Sequence, residues 1–540
     1  MRAWLGASRL RFVLVASSVL ILLYNVQFWR ESLGALGGLT REDFPFLVAL
    51  GVILITVHAM LLLMLLGRRT APLVAAALFV VAAVVAYFGN TFGVYFDSVM
   101  LRNIFDTNPA ETRDLLSGRF FLYLGLLGAL PASVVGRVVL PAESWRRRMG
   151  VCSAAMGSGL ALIAVLALSF SGHLASYLRE HKPLRFLINP ANVIYGVVSY
   201  ALGAGKSTHP LVDIEGPVER IAGAQGDKPM LVFLVVGETA RAANFELGGY
   251  ARPTNPNLRR TGGVLYFSDV SSCGTSTAVA VPCMFSHLGR NAFDLDAARA
   301  QSNLLDAVAR GGVDVEWREN NTGCKHVCER VRGVDYRGRP HEGQCVGEYC
   351  FDEVMLEGLR EQLTAARKDT LIVFHQTGSH GPAYYARYPR AFQAFAPVCR
   401  SPELGHCERE AVVNAYDNTI LHTDHVLAQQ IELLKSLAGE FDSLLLYVSD
   451  HGESLGENGI YLHAAPYFMA PEVQTHVPLV MWMSDGYRAR ARTDAACLHA
   501  RAAQPASHDD LYHTVLGALG LRSGAYRRER DLIASCRSRW

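Results

Sequence analysis

SLLLYVSDHGE, residues 443–453, is the stretch on which the reading of the C-terminal half turns. An unbroken apolar run, Leu444 to Val448, ends in Ser449 and Asp450. A short run of this kind reads as a strand buried on both faces, with the chain turning at its polar end. Three similar runs occur: MLVFLVVG (230–237), TLIVFHQT (370–377) and VPLVMWM (477–483). Helical stretches such as AYDNTILHTDHVLAQQIELLKSLA lie between them. The alternation predicts four parallel strands in a sheet with helices on both faces.

Functional groups in such sheets collect at the carboxyl ends of the strands. The first strand ends in Gly237-Glu238-Thr239, the 370–377 run passes into HQTGSHGP, and the 443–450 run ends in Asp450-His451. Carboxylates and imidazoles on one rim suit a metal of the zinc type. Glu238 or Asp450 alone could cap a helix, but two candidate ligands side by side are harder to explain that way. His375 lies inside a strand pattern and reads as a hydrogen-bonded core histidine. His380 and His463 lie in glycine-rich or polar loops and suit ligand or substrate roles. His326, His341, His406, His422 and His425 read as surface residues. The chain has no H-E-x-x-H helix of the metalloprotease type.

The first 170 residues differ in character. Five apolar spans, roughly 12–29, 46–66, 72–92, 120–140 and 151–170, each have the length that a bilayer core requires. The first could be a signal peptide, but its length and the four spans that follow favour a retained helix. Arg2, Arg9 and Arg11, then Arg68 and Arg69, then Arg146, Arg147 and Arg148 mark the cytoplasmic segments. Everything after residue 170 then lies outside the cytoplasm, which in a Gram-negative cell is the periplasm. A long external loop, 90–119, carries a helix start at Asn108-Pro109. Residues 171–224 mix aromatic, basic and apolar residues as an interfacial segment does, and the C-terminal domain occupies 225–540.

Cysteine usage points to the same side. Ten of eleven cysteines follow residue 270, with the close pairs Cys273/Cys283, Cys324/Cys328, Cys345/Cys350 and Cys399/Cys407. An even set of this kind suggests disulfides in an oxidising compartment, and Cys497 and Cys536 are left over and could pair by elimination. The net charge of +2 gives no field for nucleic acid. GAGKST (203–208) resembles the end of a Walker A loop, but Tyr200 stands where its first glycine belongs. A transporter would need more charge within the spans, where Arg137 and His58 are the main exceptions.

SSCGTSTAVAVPCMFS (271–286) crowds hydroxyls between two cysteines. On the residues alone it is either a nucleophile loop or a disulfide-held turn, and its hydroxyls are indistinguishable. The segments VVGETARAANFELGGYARPTNP, SCGTSTAVAVPCMFS, HQTGSHGPAYYARYP, NAYDNTILHTD and YVSDHGESLGENGIYLH occur in that order, with HKPLRFLINP before them. Together they strongly resemble the lipid A phosphoethanolamine transferases of Gram-negative bacteria, within the alkaline phosphatase/sulfatase superfamily. The resemblance extends over nearly the whole chain.

That resemblance implies five transmembrane helices followed by an α/β alkaline-phosphatase-like sheet sandwiched by helices. It implies Zn2+ held by Glu238, Asp450, His451 and Thr277, with Thr277 the nucleophile. His380 and His463 would act beside it, on a second metal or on the substrate phosphate. Asn108, Thr112 and Lys325 would contact substrate, as would Thr322, where the family has serine. The implied donor is phosphatidylethanolamine and the implied acceptor lipid A, in a monomeric inner-membrane protein that confers polymyxin resistance. A phosphoethanolamine transferase for a core sugar and a phosphoglycerol transferase are the alternatives. A sulfatase is disfavoured, because neither Cys273 nor Cys283 lies in a C-x-P-x-R context.

Overall fold

The computed structural model describes residues 8–538 except 37, 39, 42, 66, 68, 97–99, 102, 105–111, 114, 205–210, 338–343 and 347–348. The chain divides into two compact units, residues 1–101 with 116–199, and residues 102–115 with 200–540.

In the first unit, Asp43–Met64, Ala71–Phe92, Gly118–Val135 and Trp145–Ser169 are long and apolar enough to cross a membrane. The expected span over 12–29 is not one straight helix. Arg9–Leu23 and Val26–Ala35 meet at a 60° bend, and count as a fifth crossing only if taken together. The cause is Asn25, whose amide donates to Leu20 O and Asn189 O, both at 2.9 Å. Asn189 returns the contact through its backbone N–H to Asn25 Oδ1 at 2.7 Å, and its amide donates to Ala82 O at 2.8 Å. This ties the HKPLRFLINP segment into the helix bundle.

The span expected over 120–140 ends at Val135 and passes through a π-helical turn, Leu124–Ala129. Pro131 has no N–H to offer Leu127 O four residues back. The hydroxyl of Tyr24 donates to that carbonyl instead, at 2.5 Å.

The second unit is built on a seven-stranded sheet. Its strands are β1 (Met230–Gly237), β2 (Val264–Phe267), β3 (Asp314–Glu319), β4 (Arg332–Asp335), β5 (Thr370–His375), β6 (Asp442–Ser449) and β7 (Leu479–Met483). Their order is β2-β7-β6-β1-β5-β3-β4. β4, β3, β5, β1 and β6 are parallel. The apolar runs predict β1, β5 and β6, whereas β3 (DVEWRE) and β4 (RGVD) carry no such run and are not among the expected strands. Alternate residues of β1 feed two cores. Val232, Leu234 and Val236 pack on one face of the sheet, and Leu231, Phe233 and Val235 on the other.

β7 corrects the parallel reading of residues 477–483. It runs antiparallel to β6, with Val448 opposite Leu479. Residues 450–476 stay at the carboxyl rim, so the chain re-enters the sheet beside the end it left. A parallel strand would need a crossover to the far end.

The helix Arg409–Ser436 covers one face of the sheet. His422, expected at the surface, is buried there with Nε2 2.8 Å from Glu353 Oε1. His326 and His406 are exposed, His425 is half-buried, and His341 lies outside the described residues. Disulfides join Cys273–Cys283, Cys324–Cys328, Cys345–Cys350, Cys399–Cys407 and Cys497–Cys536, and Cys152 is free.

Candidate active site

β1 and β6 are adjacent, parallel and in register, with Gly237 opposite Ser449. The next residues, Glu238 and Asp450, therefore leave the sheet at one level. The turn after β1 is unusual, since Thr239 has a φ of 59° with a β-branched side chain. Its N–H donates to Asp450 Oδ1 at 3.1 Å, and its carbonyl accepts Tyr416 OH at 2.7 Å. Past β6, Gly452 packs against Val473 O so closely that a Cβ would lie 2.0 Å from it. That explains the glycine after the Asp-His pair.

Glu238, Asp450 and His451 are buried and place ligand atoms within 4.8 Å of one another. His451 Nδ1 lies 2.9 Å from Gly452 O, an acceptor, so its proton is on Nδ1. The lone pair of Nε2 then faces inward, 3.4 Å from Glu238 Oε1 and 3.4 Å from Asp450 Oδ2. Asp450 Oδ2 is buried and receives no hydrogen bond among the described residues. Burial, with Glu238 beside it, pushes the Asp450 carboxyl up. Burial works the same way on Glu238, but His451, His380 and His463 outweigh it and hold that carboxyl low. Two carboxylates and an inward-facing imidazole nitrogen converging in one buried space fit a small divalent cation.

Thr277 is the first residue of the helix Thr277–Met284. Its hydroxyl donates to Glu238 Oε2 at 3.1 Å and lies 3.4 Å from His451 Nε2. A fourth oxygen thus joins the cluster, beside the open N–H groups of a helix start. Two of the neighbouring hydroxyls are occupied elsewhere. Thr275 donates to Ala465 O and Ser272 to Gly274 O, while Ser276 holds the cap position without a side-chain cap bond.

The His463 ring lies 4.3 Å from that of His451 and 5.6 Å from that of His380. Burial, with His451 alongside, pulls His463 down to about 3. Arg387 holds the His380 carbonyl at 2.7 Å. In the loop after β3, Lys325 Nζ donates to Thr322 O at 3.1 Å. Lys325 also lines a small cleft with Pro282 and Ser286, at the end of the Thr277 helix. Thr112 is exposed on a short helical turn, and Asn108 lies outside the described residues.

Two neighbours escaped the sequence reading. Asn321 donates to Glu238 Oε2 at 2.5 Å. Glu453, fully buried, lies 3.2 Å through Oε1 from His463 Nδ1. Glu453 sits in the DHGE quoted above and Asn321 in ENNTGCK (319–325), but nothing in either stretch says where the side chain points.

A doubly covered, largely parallel sheet with a metal-type cluster and a helix-start hydroxyl at its carboxyl rim defines a phosphatase- or sulfatase-like enzyme. The Sulfatase family model matches residues 230–521, and the model described as phosphoethanolamine transferase EptA/EptB matches residues 54–204. Phosphoethanolamine transferase EptA of Salmonella typhimurium is 37% identical over 98% of this chain and 97% of its own. Phosphatidylethanolamine transferase Mcr-1 of Escherichia coli is 40% identical over 89% of this chain and 91% of its own. The structure of the integral membrane protein lipooligosaccharide phosphoethanolamine transferase A (EptA) from Neisseria meningitidis superposes with a TM-score of 0.94 at 36% identity. That match covers 98% of this chain and 99% of that one. The chain belongs to the EptA family and is a phosphoethanolamine transferase.

Proposed function

We propose that the enzyme transfers phosphoethanolamine from phosphatidylethanolamine to a phosphate of lipid A, through a covalent phospho-threonine at Thr277. The observation that carries this reading is the Thr277 hydroxyl, 3.1 Å from Glu238 and 3.4 Å from His451. Glu238, Asp450, His451 and Thr277 would hold zinc, which lowers the pKa of a bound hydroxyl and offsets charge on phosphoryl oxygens.

In the first half-reaction Thr277 gives its hydroxyl proton to the Glu238 carboxylate it faces. Thr277 Oγ attacks the donor phosphorus and the bond to the diacylglycerol oxygen breaks; the proton returns to Thr277 when it is released. His380 protonates the departing oxygen, while His463, kept neutral by burial, faces the transferred group. The helix-start N–H groups at Thr277 stabilise the phosphoryl oxygens. In the second, an oxygen of the acceptor phosphate attacks the same phosphorus and Thr277 is released. Lys325 and Thr322 bind the donor headgroup, with Asn108 and Thr112 as further substrate contacts.

Both substrates are membrane lipids, which accords with an active unit joined to membrane helices. Five disulfides and the arginine placement support an inner-membrane protein with its catalytic unit in the periplasm. Transfer lowers the negative charge of lipid A and so reduces binding of cationic peptides such as polymyxins. The test is mass spectrometry of lipid A from cells expressing the wild type or Thr277→Ala. The phosphoethanolamine increment is expected on lipid A with the wild type only. An increment on a core sugar, with lipid A unmodified, would overturn the acceptor assignment.

A further inference from the structure

We propose that Asn321, His375 and Glu319 form a buried positioning chain, which holds the Glu238 carboxylate for the metal and fixes the loop carrying Thr322 and Lys325 beside it. The inference rests on the metal-site reading above. It concerns residues that play no part in the chemistry just described.

The chain starts from the sheet. β3 and β5 end together, with Glu319 opposite His375, and His375 is opposite Val236 of β1. All three side chains are buried: Glu319 is 5% exposed, Asn321 4% and His375 0%. Glu319 oxygens lie 3.1 and 3.0 Å from His375 Nδ1. His375 Nε2 lies 3.1 Å from the Asn321 amide nitrogen, which in turn lies 2.5 Å from Glu238 Oε2.

The hydrogens can be assigned by elimination. An ionised Glu238 only accepts, so the Asn321 nitrogen faces it and donates. The second hydrogen of the same amide meets the lone pair of His375 Nε2. The imidazole proton is then on Nδ1, facing Glu319, which also only accepts. Every link has one donor and one acceptor.

Glu238 is thereby gripped at both oxygens. Oε2 takes Asn321 and Thr277, and Oε1 takes the hydroxyl of Thr239. A ligand carboxylate held in this way cannot swing between one-oxygen and two-oxygen binding. Glu319 does a second job with its remaining lone pairs. It accepts the Trp317 indole N–H at 2.8 Å, and the backbone N–H groups of Asn321 at 2.7 Å and Gly323 at 3.1 Å. Those amides belong to the loop that presents Thr322 and Lys325, so one buried carboxylate fixes a metal ligand and the loop next to it.

The test uses the full-length protein in detergent. Zinc affinity is measured by chelator competition, and the melting temperature is taken without metal, for the wild type, Asn321→Leu, Asn321→Ala and Glu319→Gln. Loss of outer hydrogen bonds to metal ligands weakens binding by roughly 10- to 100-fold. Asn321→Leu, which keeps the branched shape and the number of heavy atoms, is expected to show that loss while its metal-free melting temperature stays near wild type. Glu319→Gln is expected to weaken zinc binding and also raise KM for the lipid donor. Should Glu319→Gln fail to fold, the two Asn321 variants decide the matter. A wild type that binds zinc, with both Asn321 variants binding it equally well, overturns the positioning chain alone. A wild type that binds no zinc overturns the metal-site reading and the chain with it.

Discussion

Thr277 Oγ1 donates to Glu238 Oε2 across 3.1 Å, joining the first turn of a helix to the end of a strand 39 residues earlier. The bond sets the candidate nucleophile against a candidate metal ligand. Thr277→Ala removes the hydroxyl and leaves Glu238, Asp450 and His451 in place. Transfer is expected to fall about 1,000-fold or more, as when other nucleophiles are removed. Zinc content, read by elemental analysis, is expected to persist. Glu238→Ala is expected to lose both.

Asp450 and Glu238 share a buried space in which Asp450 Oδ2 receives no hydrogen bond among the described residues. A bound cation stabilises that arrangement. At free zinc about 100 times Kd the gain is about 2.7 kcal/mol. Chelation should therefore lower the melting temperature of the wild type. Asp450→Asn removes one of two crowded carboxylates, so its metal-free form is expected to melt above the metal-free wild type and to ignore zinc. Scanning fluorimetry with and without chelator checks both signs, and a wild type indifferent to chelator counts against the metal site.

The Cys273–Cys283 disulfide spans the turn that presents Thr277. Replacing both cysteines by serine is expected to cost about 2–4 kcal/mol. The expected signature is a lower melting temperature and lower kcat at nearly unchanged zinc affinity, because neither cysteine touches the Glu238–Asp450–His451 cluster directly.

His508 gives a pH prediction. It is buried, accepts the Cys273 N–H at Nδ1 (3.0 Å) and lies 2.9 Å from Ser449 O through Nε2. Burial pulls it down to about 4. Unfolding restores the ordinary value near 6.5. Between those values the unfolded chain binds the extra proton, so stability falls as pH drops, at up to about 1.4 kcal/mol per unit. The contribution is complete above about pH 6.5 and gone below about pH 4. Glutamine keeps a donor and an acceptor without titrating, so His508→Gln is expected to show a shallower loss of stability in acid. Equal slopes for the two proteins would sink this assignment.

Tyr24 and Pro131 form a testable pair in the membrane unit, where Tyr24 OH donates to the Leu127 carbonyl that Pro131 cannot serve. Tyr24→Phe leaves that carbonyl unpaired and is expected to cost about 1–3 kcal/mol. In a Pro131→Ala background the helix supplies its own N–H, and the same substitution is expected to cost much less. A double-mutant cycle on thermal stability reads the difference, and additive effects would contradict the pairing.

Much of this architecture was legible in the sequence, for physical reasons. Strands covered on both faces must be apolar throughout, so β1, β5 and β6 appeared as unbroken runs. Residues at their polar ends, Glu238, Asp450 and His451, fall on one rim because parallel strands share a direction. Other features depend on contacts that no local pattern records. β7 reversed because the chain between Asp450 and His476 stays on that rim. Asn25 bends an apolar helix through Asn189, 164 residues away. His422 is inward-facing on a helix whose polar residues, Asn418 and Asp424 among them, are also buried. Thr277 could be chosen among its neighbours only by resemblance, since the turn's other hydroxyls have the same chemistry and differ only in what they touch.

The most direct test of the central claim is peptide mass spectrometry of the enzyme incubated with phosphatidylethanolamine and no acceptor. The expected result is a phosphoethanolamine increment on the peptide containing Thr277, which disappears when lipid A is added. Turnover by the wild type with no increment at any stage, or with the increment on a different residue, would contradict it.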